Sequence, residues 1–296
     1  MTSDLFACIE AGGTKFMLGV ARGDRRMLRQ HRLPTTAPEE TIATAIAFFA
    51  TAEAELGRFA AVGIGTFGPA DVDPTSPGWG RIVDTPKPGW SGTDLAAPFA
   101  ARFRCPVGFD TDVNAAILAE HRWGAAAGAD VATYVTVGTG IGGGVIVGGM
   151  VIHGLRHPEM GHGSPVRHPR DPEFAGVCPF HGACLEGLAS GPAIQARWGS
   201  PLSDLPDGHE AHEIIAFYLA QLVLWQQAIL SPSRVVFGGG VLATPGLVAR
   251  IRAAADRAAA GYFGVDRLGY DALIVPSALG GEAGLLGALA LAMAAR

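Results

Sequence analysis

Apolar runs near the start of the chain predict three short strands. Leu5–Ile9, Phe16–Ala21 and Met27–Leu33 each begin and end with apolar residues. A Gly-Gly pair lies between the first two runs, and Arg-Gly-Asp-Arg separates the second run from the third. We therefore predict a three-stranded meander at this end of the chain.

The next segments alternate between helical and strand patterns. Ile42, Ile46 and Phe49 recur on one face of an alanine-rich segment, which predicts a helix from about Pro38 to Leu56. The pattern then predicts a buried strand, an irregular proline-rich segment, a helix, a short strand and another helix: Ala61–Gly65, Pro69–Trp90, Thr93–Phe103, Val107–Phe109 and Val113–Trp123. This order is typical of an α/β protein.

The second half of the chain begins much as the first half does. A strand followed by Gly-Gly-Thr near residue 12 and a strand followed by Gly-Thr-Gly near residue 139 indicate a weak internal duplication. The predicted elements of this half are strands Val131–Val137 and Gly143–Val147, a helix over about Glu210–Leu230, strand Arg234–Phe237, a helix, strand Leu273–Pro276 and a helix from Glu282. We predict two similar lobes with a ligand between them: residues 1–118, with the C-terminal helix 283–296 as a candidate to pack back onto them, and residues 119–282.

Composition favours a compact cytoplasmic protein of two domains. The 296 residues exceed the usual length of one domain, and 49% hydrophobic against 17% charged residues argues against disorder. A net charge of −5 without a dense stripe of lysine and arginine argues against nucleic acid as a partner. We find neither a signal peptide nor an apolar run long enough to predict a membrane span. Four cysteines are too few for a disulfide framework.

Three glycine clusters follow apolar strands and predict contacts with phosphate or nucleotide. They are Gly12-Gly13-Thr14-Lys15, Gly138-Thr139-Gly140 and Gly238-Gly239-Gly240. Glycine lets phosphate oxygens, or a flat adenine ring, approach the backbone, while threonine adds a hydroxyl and lysine a positive charge. A tight hairpin is the alternative explanation of the first cluster, but a hairpin needs fewer glycines than the second contains. No cluster has the spacing of a Walker or a Rossmann motif.

Two acidic segments add candidate groups for the transfer of a phosphoryl group from the predicted nucleotide. Glu10 ends the first strand, where a carboxylate could hold Mg²⁺ through water; a solvated strand end is the alternative. Within Gly108–Ala116 a strand ends and a helix begins, so Asp110 and Asp112 compete to cap that helix. We predict that Asp112 is the base that accepts a hydroxyl proton from a sugar, and the alternative is that Asp112 only caps the helix.

Two cysteines and two histidines predict a zinc site. Cys178, His181 and Cys184 are spaced three residues apart, and His162 lies sixteen residues before the first of them. Four such donors fill the tetrahedral shell of Zn²⁺, so the predicted ion is structural and does not activate water.

Two glutamates flank the predicted zinc ligands. The ion could orient Glu159, Glu186 and the second ring nitrogen of His162 toward sugar hydroxyls. The alternative interpretation of each glutamate is an ordinary charged residue on the protein surface. Three further histidines are candidates by residue type only, and we leave them out of the ligand set: His153, His157 and His168.

These residues form motifs that resemble the ROK family of sugar kinases and repressors over nearly the whole chain. The motifs are Glu10-Ala-Gly-Gly-Thr-Lys15, Asp112-Val-Asn114, Gly138-Thr-Gly140, Glu159-Met-Gly-His162 and Cys178-Pro-Phe-His-Gly-Ala-Cys-Leu-Glu186. The first and last of these, with Gly65-Thr-Phe-Gly-Pro69 and Thr85-Pro-Lys-Pro-Gly-Trp90, resemble the bacterial fructokinase branch of that family.

The resemblance implies an actin-like (ribonuclease H-like) two-lobed ATPase fold with an inter-domain cleft. It also implies ATP with Mg²⁺, transfer to the 6-hydroxyl of D-fructose, a zinc-braced loop over residues 159–186, and a homodimer. Carried over by position, Asp112 is the catalytic base. The residues that bind the sugar, or support those that do, are Gly68, Thr111, Asp112, Glu159, His162 and Glu186. His162 thus belongs to both the zinc set and the sugar set.

Two residues depart from the usual family pattern: Glu10 stands where aspartate is usual, and Thr111 stands where asparagine is usual. Thr111 lacks an amide, which alters hydrogen bonding to a sugar and disfavours strict glucose specificity.

Three other functions are alternatives to a fructokinase: a kinase for glucose, mannose or N-acetylmannosamine, a DNA-binding repressor, and a zinc hydrolase. The repressor requires a helix-turn-helix domain before the strand at Leu5, and the hydrolase requires an open position on zinc.

Overall fold

The computed structural model describes residues 4–296, apart from the side chain of residue 266. Contacts within the chain divide it into two compact units. The first unit contains the chain up to Arg122 together with Val151–His157 and Gly281–Arg296, and the second contains Trp123–Met150 and Pro158–Gly280.

One short segment belongs to a different unit from the one that the sequence predicts. Residues 151–157 fall within the predicted second lobe but contact the first unit. The reason is two hydrogen bonds, since His153 pairs with Asp110 and His157 accepts from the backbone N–H of Ala70. The functional division of the chain into lobes stays a prediction.

The first unit contains a five-stranded mixed sheet. Its elements are β1 (Leu5–Ala11), β2 (Lys15–Arg22), β3 (Met27–Pro34), α1 (Pro38–Leu56), β4 (Phe59–Thr66), α2 (Ala97–Phe103), β5 (Val107–Thr111), α3 (Asp112–Trp123) and the C-terminal helix α9 (Ala283–Ala295). The strand order is β3-β2-β1-β4-β5. The β1–β2 and β2–β3 pairs are antiparallel, as the predicted meander requires, while β1, β4 and β5 run parallel.

Helix α1 joins the core of this unit through an aromatic cluster. It has a proline and two glutamates in its first turn, which favour a helix N-terminus, and it ends at Gly57, whose φ of 104° suits glycine. The buried ring of Phe49 meets those of Phe59, Phe99 and Phe103 edge-on at centroid distances of 5.9 to 6.3 Å. These rings pack α1 against β4 and α2, and edge-to-face pairs of this kind stabilise a core beyond the area that they bury.

Helix α9 packs on the sheet where the strands carry glycine. A Cβ atom at Gly63 of β4 would overlap the carbonyl oxygen of Ala288, and one at Gly108 of β5 would overlap that of Leu291. Nine residues of α9 are buried, from Ala283 to Ala292, so the helix is covered nearly all round. Close backbone contact between α9 and the strands therefore depends on these glycines.

Alanine in place of Gly63 should destabilise the protein by roughly 1 to 3 kcal/mol, because its methyl group must displace the backbone of α9. Urea unfolding followed by circular dichroism measures the loss. Gly208→Ala is the matched control, since a Cβ atom there meets nothing within 4 Å. Equal stability of the two variants would contradict the close packing of α9.

The second unit repeats the topology of the first. Its elements are β6 (Val131–Val137), β7 (Ile141–Val147), β8 (Met150–Val151), α4 (Leu185–Ala189), α5 (Gly191–Trp198), α6 (Glu210–Leu230), β9 (Arg234–Gly238), α7 (Leu247–Ala259), α8 (Tyr270–Leu273) and β10 (Ile274–Pro276). The strand order is β8-β7-β6-β9-β10, in which β6 is antiparallel to β7 and parallel to β9. Each strand of the first sheet corresponds to the strand five places later, which confirms the predicted internal duplication.

Helix α6 is the core helix of the second unit. By length and composition its 21 residues suffice to cross a membrane. Ile215, Tyr218 and Leu219 are nevertheless fully buried in a core that also contains Val135 of β6 and Phe237 of β9. Packing against the second sheet thus accounts for the apolar character of α6.

Most of the predicted bounds agree with the structure to within two residues, and those of α6 agree fully. Helix α2 is the exception, because it begins at Ala97 and not at Thr93. The N–H groups of Leu95 and Ala96 donate to the carbonyl of Gly80 at 2.9 and 3.2 Å, so this part of the chain is held outside the helix. The sequence analysis also omits β8, α4 and α5, which are short and lack a clear period.

Candidate active site and metal cluster

The parallel strands β1, β4 and β5 bring three predicted site segments to one edge of the first sheet. Ala11 pairs with Thr66, and Thr66 pairs with Thr111, so the three strands end in register. From these ends the chain enters the first glycine turn, the segment with Gly68, and residues 110–114, which we call the acidic elbow. The carboxyl edge of parallel strands is the usual binding edge of an α/β sheet.

The first glycine turn is partly a hairpin and partly open. The N–H of Gly12 donates to the carbonyl of Lys15 at 2.9 Å, and the hydroxyl of Thr35 donates to the carbonyl of Gly12 at 2.6 Å. A Cβ atom at Gly12 would lie 2.8 Å from the Lys15 oxygen, whereas one at Gly13 would meet nothing within 4 Å. Thr14 and Lys15 are exposed. Hairpin geometry thus explains Gly12, and the remainder of the turn is accessible to a phosphate.

Glu10 is not a fully solvated strand end. It is half-buried, and its carboxyl group lies so close to Gly284, at the start of α9, that a Cβ atom there would overlap it. Burial raises the pKa of Glu10, while the charge of Lys15 acts in the opposite direction. The N-terminus of α9 favours a negative charge at this position.

Thr111 caps helix α3, and Asp112 does not. The Thr111 hydroxyl accepts a hydrogen bond from the N–H of Asn114 at 3.2 Å, as an N-cap side chain does. The expectation that Asp110 or Asp112 caps the helix is therefore wrong. Asp112 is the first residue of α3, and its Oδ1 accepts from the adjacent N–H of Val113 at 2.8 Å. Its half-buried carboxylate lies at a helix N-terminus, where a negative charge is favoured.

Two histidines outside the predicted set contact the predicted site. Nε2 of His153 lies 2.8 Å from Oδ2 of Asp110. Nε2 of His157 accepts from the N–H of Ala70 at 3.1 Å, and a Cβ atom at Gly68 would lie 3.3 Å from its ring. The partners are 43 and 87 residues away along the chain, so no local sequence pattern could have identified them.

The second glycine turn is tied to Glu186. The N–H of Gly138 donates to the carbonyl of Gly140 at 2.9 Å and closes the turn. Oε2 of Glu186 accepts from the N–H of Ile141 at 2.9 Å, and a Cβ atom at Gly140 would lie 2.6 Å from this oxygen. Thr139 is exposed, and Gly138 has open space where a side chain would be. Glu186 therefore fixes one end of the turn and leaves the other side accessible.

Close packing explains two of the three glycines in the third cluster. A Cβ atom at Gly238 would overlap the hydroxyl of Tyr134, and one at Gly239, where φ is 92°, would overlap the backbone of Val137. Gly240 has no such neighbour. Because β6 and β9 are neighbouring parallel strands, the second and third clusters lie at the same edge of the second sheet.

The four predicted zinc ligands come together in the second unit. The ligand atoms of His162, Cys178, His181 and Cys184 all lie within 4.8 Å of one another. Nδ1 of His162 is 3.8 Å from the sulfur of Cys178 and 3.6 Å from that of Cys184, and Nδ1 of His181 is 3.7 Å from the Cys178 sulfur. Ligand atoms of one tetrahedral zinc lie roughly 3.3 to 3.8 Å apart. The arrangement therefore fits a zinc ion.

The surroundings of the cysteines also favour a bound cation. Cys178 and Cys184 are buried, and burial raises the pKa of the Cys184 thiol to about 11. A thiolate at this position thus requires a cation to stabilise it. The three histidines left out of the ligand set contribute to no metal-ligand group within the described part of the chain: His153, His157 and His168.

His162 can belong to both predicted sets because its two ring nitrogens face different groups. Nδ1 faces the cysteines, while Nε2 lies 4.0 Å from Oε1 of Glu186. Glu159 precedes the short 3₁₀ helix Met160–His162, and it stands close enough to Glu186 for their charges to interact. Burial of its carboxyl group, together with the charge of Glu186, raises the pKa of Glu159 to about 7. The structure thus brings the predicted sugar ligands of this loop together.

Comparison with known proteins identifies the class that this fold and site define. The sequence matches the ROK family over residues 6–295, and the chain therefore belongs to the ROK family. The predicted family and the predicted actin-like ATPase fold are confirmed.

Individual relatives cover nearly the whole chain. The fructokinase of Zymomonas mobilis subsp. mobilis is 52% identical over 295 residues, which span 98% of this chain and 97% of that protein. The fructokinase of Streptococcus mutans is 39% identical over 98% of each chain. Among solved structures, a ROK hexokinase from Thermus thermophilus has a TM-score of 0.78 at 31% identity, covering 98% of each chain. A ROK glucokinase from Streptomyces griseus, in complex with glucose and AMPPNP, has a TM-score of 0.76 at 27% identity, covering 98% of this chain and 99% of that one.

Proposed function

We propose that this protein is a fructokinase, which transfers the γ-phosphoryl group of ATP to the 6-hydroxyl of D-fructose. The observation that carries the proposal is the position of Asp112, which is the first residue of α3 and lies at the binding edge of the sheet, directly after the capping residue Thr111. The identity of 52% with the Zymomonas mobilis fructokinase, over nearly the full length of both proteins, supports fructose as the substrate.

Asp112 would act as the general base. Its carboxylate takes the proton of the 6-hydroxyl, while the oxygen forms a bond to the γ-phosphorus and the bond between that phosphorus and ADP breaks. The start of α3 holds Asp112 through the N–H of Val113, so the carboxylate can be placed before the sugar arrives.

The glycine turns would hold the phosphates of ATP. The open positions are Gly13, Thr14, Lys15, Gly138, Thr139 and Gly240. Magnesium, when bound with ATP, neutralises charge on the phosphates, and Glu10 would hold it through water. The AMPPNP bound to the Streptomyces griseus glucokinase supports an adenine nucleotide as the phosphoryl donor.

The loop 159–186 would bind the sugar and a structural zinc. Zinc would be held by the four ligands of the cluster, which leaves no position for a reactive water and argues against a hydrolase. His162 would bind the ion through Nδ1 and direct Nε2 toward Glu186 and the sugar. We also propose a cytoplasmic homodimer, as the family resemblance implies; light scattering should then give twice the mass of the 30.5 kDa chain.

A sugar panel tests the proposed substrate. Release of ADP should be measured with fructose, mannose, glucose and N-acetylmannosamine in the presence of ATP and Mg²⁺. We expect the largest kcat/KM for fructose, because the Zymomonas mobilis fructokinase is 52% identical over nearly the full length, and Thr111 lacks the amide whose absence disfavours strict glucose specificity. A larger value for any other sugar would transfer the assignment to that sugar.

A further inference from the structure

Asp110 is a buried carboxylate with three hydrogen-bond partners. It is 4% exposed, and its Oδ1 accepts from the N–H of Thr111 and from Nδ2 of Asn114, both at 2.7 Å. Its Oδ2 lies 2.8 Å from Nε2 of His153. A buried carboxylate is stable in its charged form when it is hydrogen-bonded and paired with a positive charge. His153 is placed to supply that charge.

The other partners of Asp110 belong to the acidic elbow itself. Thr111 caps α3, and Asn114 lies in its first turn. Asn114 is fully buried, and its Oδ1 has no hydrogen-bond partner among the described residues. Its Nδ2 donates to Asp110 at 2.7 Å and lies 3.4 Å from Nε2 of His153. Asp110 therefore joins the end of β5 to the first turn of α3, on both sides of Asp112.

His153 reaches this carboxylate from a distant segment. It lies in residues 151–157, which are also fastened to the first unit through His157 and the backbone of Ala70. The side chain of His153 is 36% exposed, so its protonation can follow the pH of the solvent, while the side chain of Asp110 is 6% exposed.

We propose that His153 is a positioning residue for catalysis, which as an imidazolium holds Asp110 and thereby fixes the acidic elbow that presents Asp112 to the substrate hydroxyl. The inference rests on the proposed function, in which Asp112 is the base. His153 acts through Asp110, and its contacts explain why a histidine stands at this position of the segment.

The charged groups that face His153 favour the imidazolium. The hydrogen bond to Asp110 raises the pKa of His153 above its ordinary 6.5; burial lowers this pKa, and the charges of Asp110 and Asp73 raise it. Because the pKa is raised in the folded state, the stabilisation is complete below pH 6.5 and is lost as the pH rises through the raised value. The kcat of the wild type should therefore fall on the alkaline side.

His153→Gln tests the proposal, since glutamine retains a donor but cannot carry the charge. We expect kcat to fall by roughly 10- to 100-fold, with the KM for ATP nearly unchanged and without the alkaline fall of the wild type. His31→Gln is the matched control, because His31 lies on β3 of the same unit and stacks on Phe48 away from the elbow. Wild-type kcat and pH profile in His153→Gln would overturn the proposal.

A double-mutant cycle with Asp110→Asn separates positioning from a general loss of stability. If His153 acts through Asp110, the double variant should have a kcat close to that of Asp110→Asn alone. Effects that multiply would contradict this. Should His153→Gln not fold, Asp110→Asn serves as the test by itself. It removes the negative charge of the Asp110 side chain but preserves the shape of that side chain. The pKa of His153, measured by NMR titration, should then be lower than in the wild type.

A structural measurement keeps this proposal distinct from the proposed function. Should the wild type fail to phosphorylate fructose, the proposed function would be wrong irrespective of His153. The amide NMR signals of residues 111–114 report on the elbow without any substrate. His153→Gln should shift these signals and His31→Gln should not, and signals that stay in place in His153→Gln would overturn the positioning role.

Discussion

Asparagine in place of Asp112 should lower kcat by roughly 10²- to 10⁴-fold, the usual contribution of a positioned general base. The amide has nearly the shape of the carboxylate but cannot take the hydroxyl proton. Because Thr111 caps α3, the helix should keep its start in the variant. We therefore expect the melting temperature and the Kd for ATP to stay close to those of the wild type.

The control for this experiment is Asp24→Asn in the turn between β2 and β3. Asp24 is exposed and accepts a hydrogen bond from the N–H of Arg26, which asparagine can also accept. Steady-state kinetics of both variants, with melting curves and ATP titrations, give the comparison. A kcat near the wild-type value in Asp112→Asn would remove Asp112 from the role of base.

Loss of the zinc site should give the second large effect. Cys184→Ser removes one ligand and leaves three, so the loop 159–186 loses its closed tetrahedral shell. We expect a lower melting temperature, by roughly 2 to 4 °C for each kcal/mol lost from the free energy of unfolding. The KM for fructose should rise by roughly 10- to 100-fold, because His162 and Glu186 would no longer be held in place.

Cys105→Ser is the matched control for the metal site. Cys105 is half-buried in the first unit and lies outside the four-ligand cluster. Metal content measured by mass spectrometry should be one zinc per chain in this control and close to none in Cys184→Ser. An unchanged melting curve after verified removal of the metal would contradict a structural zinc.

The pattern of apolar residues was sufficient to predict most of the fold. Helix α6 could be predicted residue by residue because its long apolar face meets the second sheet, and the repeated strand-and-glycine pattern predicted the duplicated topology. The start of α2 could not be placed from the pattern alone, because the backbone of Leu95 and Ala96 is hydrogen-bonded to Gly80. A bond to a residue about fifteen positions away is not reported by hydrophobic periodicity.

Local spacing predicted the metal cluster well, since three of its four ligands lie within seven residues of one another. The hydrogen bonds of the acidic elbow were harder to predict from the sequence. Threonine, and not aspartate, caps α3, and the partner of the buried Asp110 carboxylate is His153, 43 residues further along the chain. Gly238 similarly owes its lack of a side chain to the Tyr134 hydroxyl, a contact across the sheet that the sequence cannot display.

The most direct test of the account is the identity of the phosphorylated product. The protein should be incubated with ATP, Mg²⁺ and fructose, and the products followed by ³¹P NMR. We predict equal amounts of ADP and fructose 6-phosphate with the wild type, and almost no product with Asp112→Asn over the same time. ADP without a sugar phosphate, phosphate on another hydroxyl, or an equal yield from Asp112→Asn would contradict the proposed reaction.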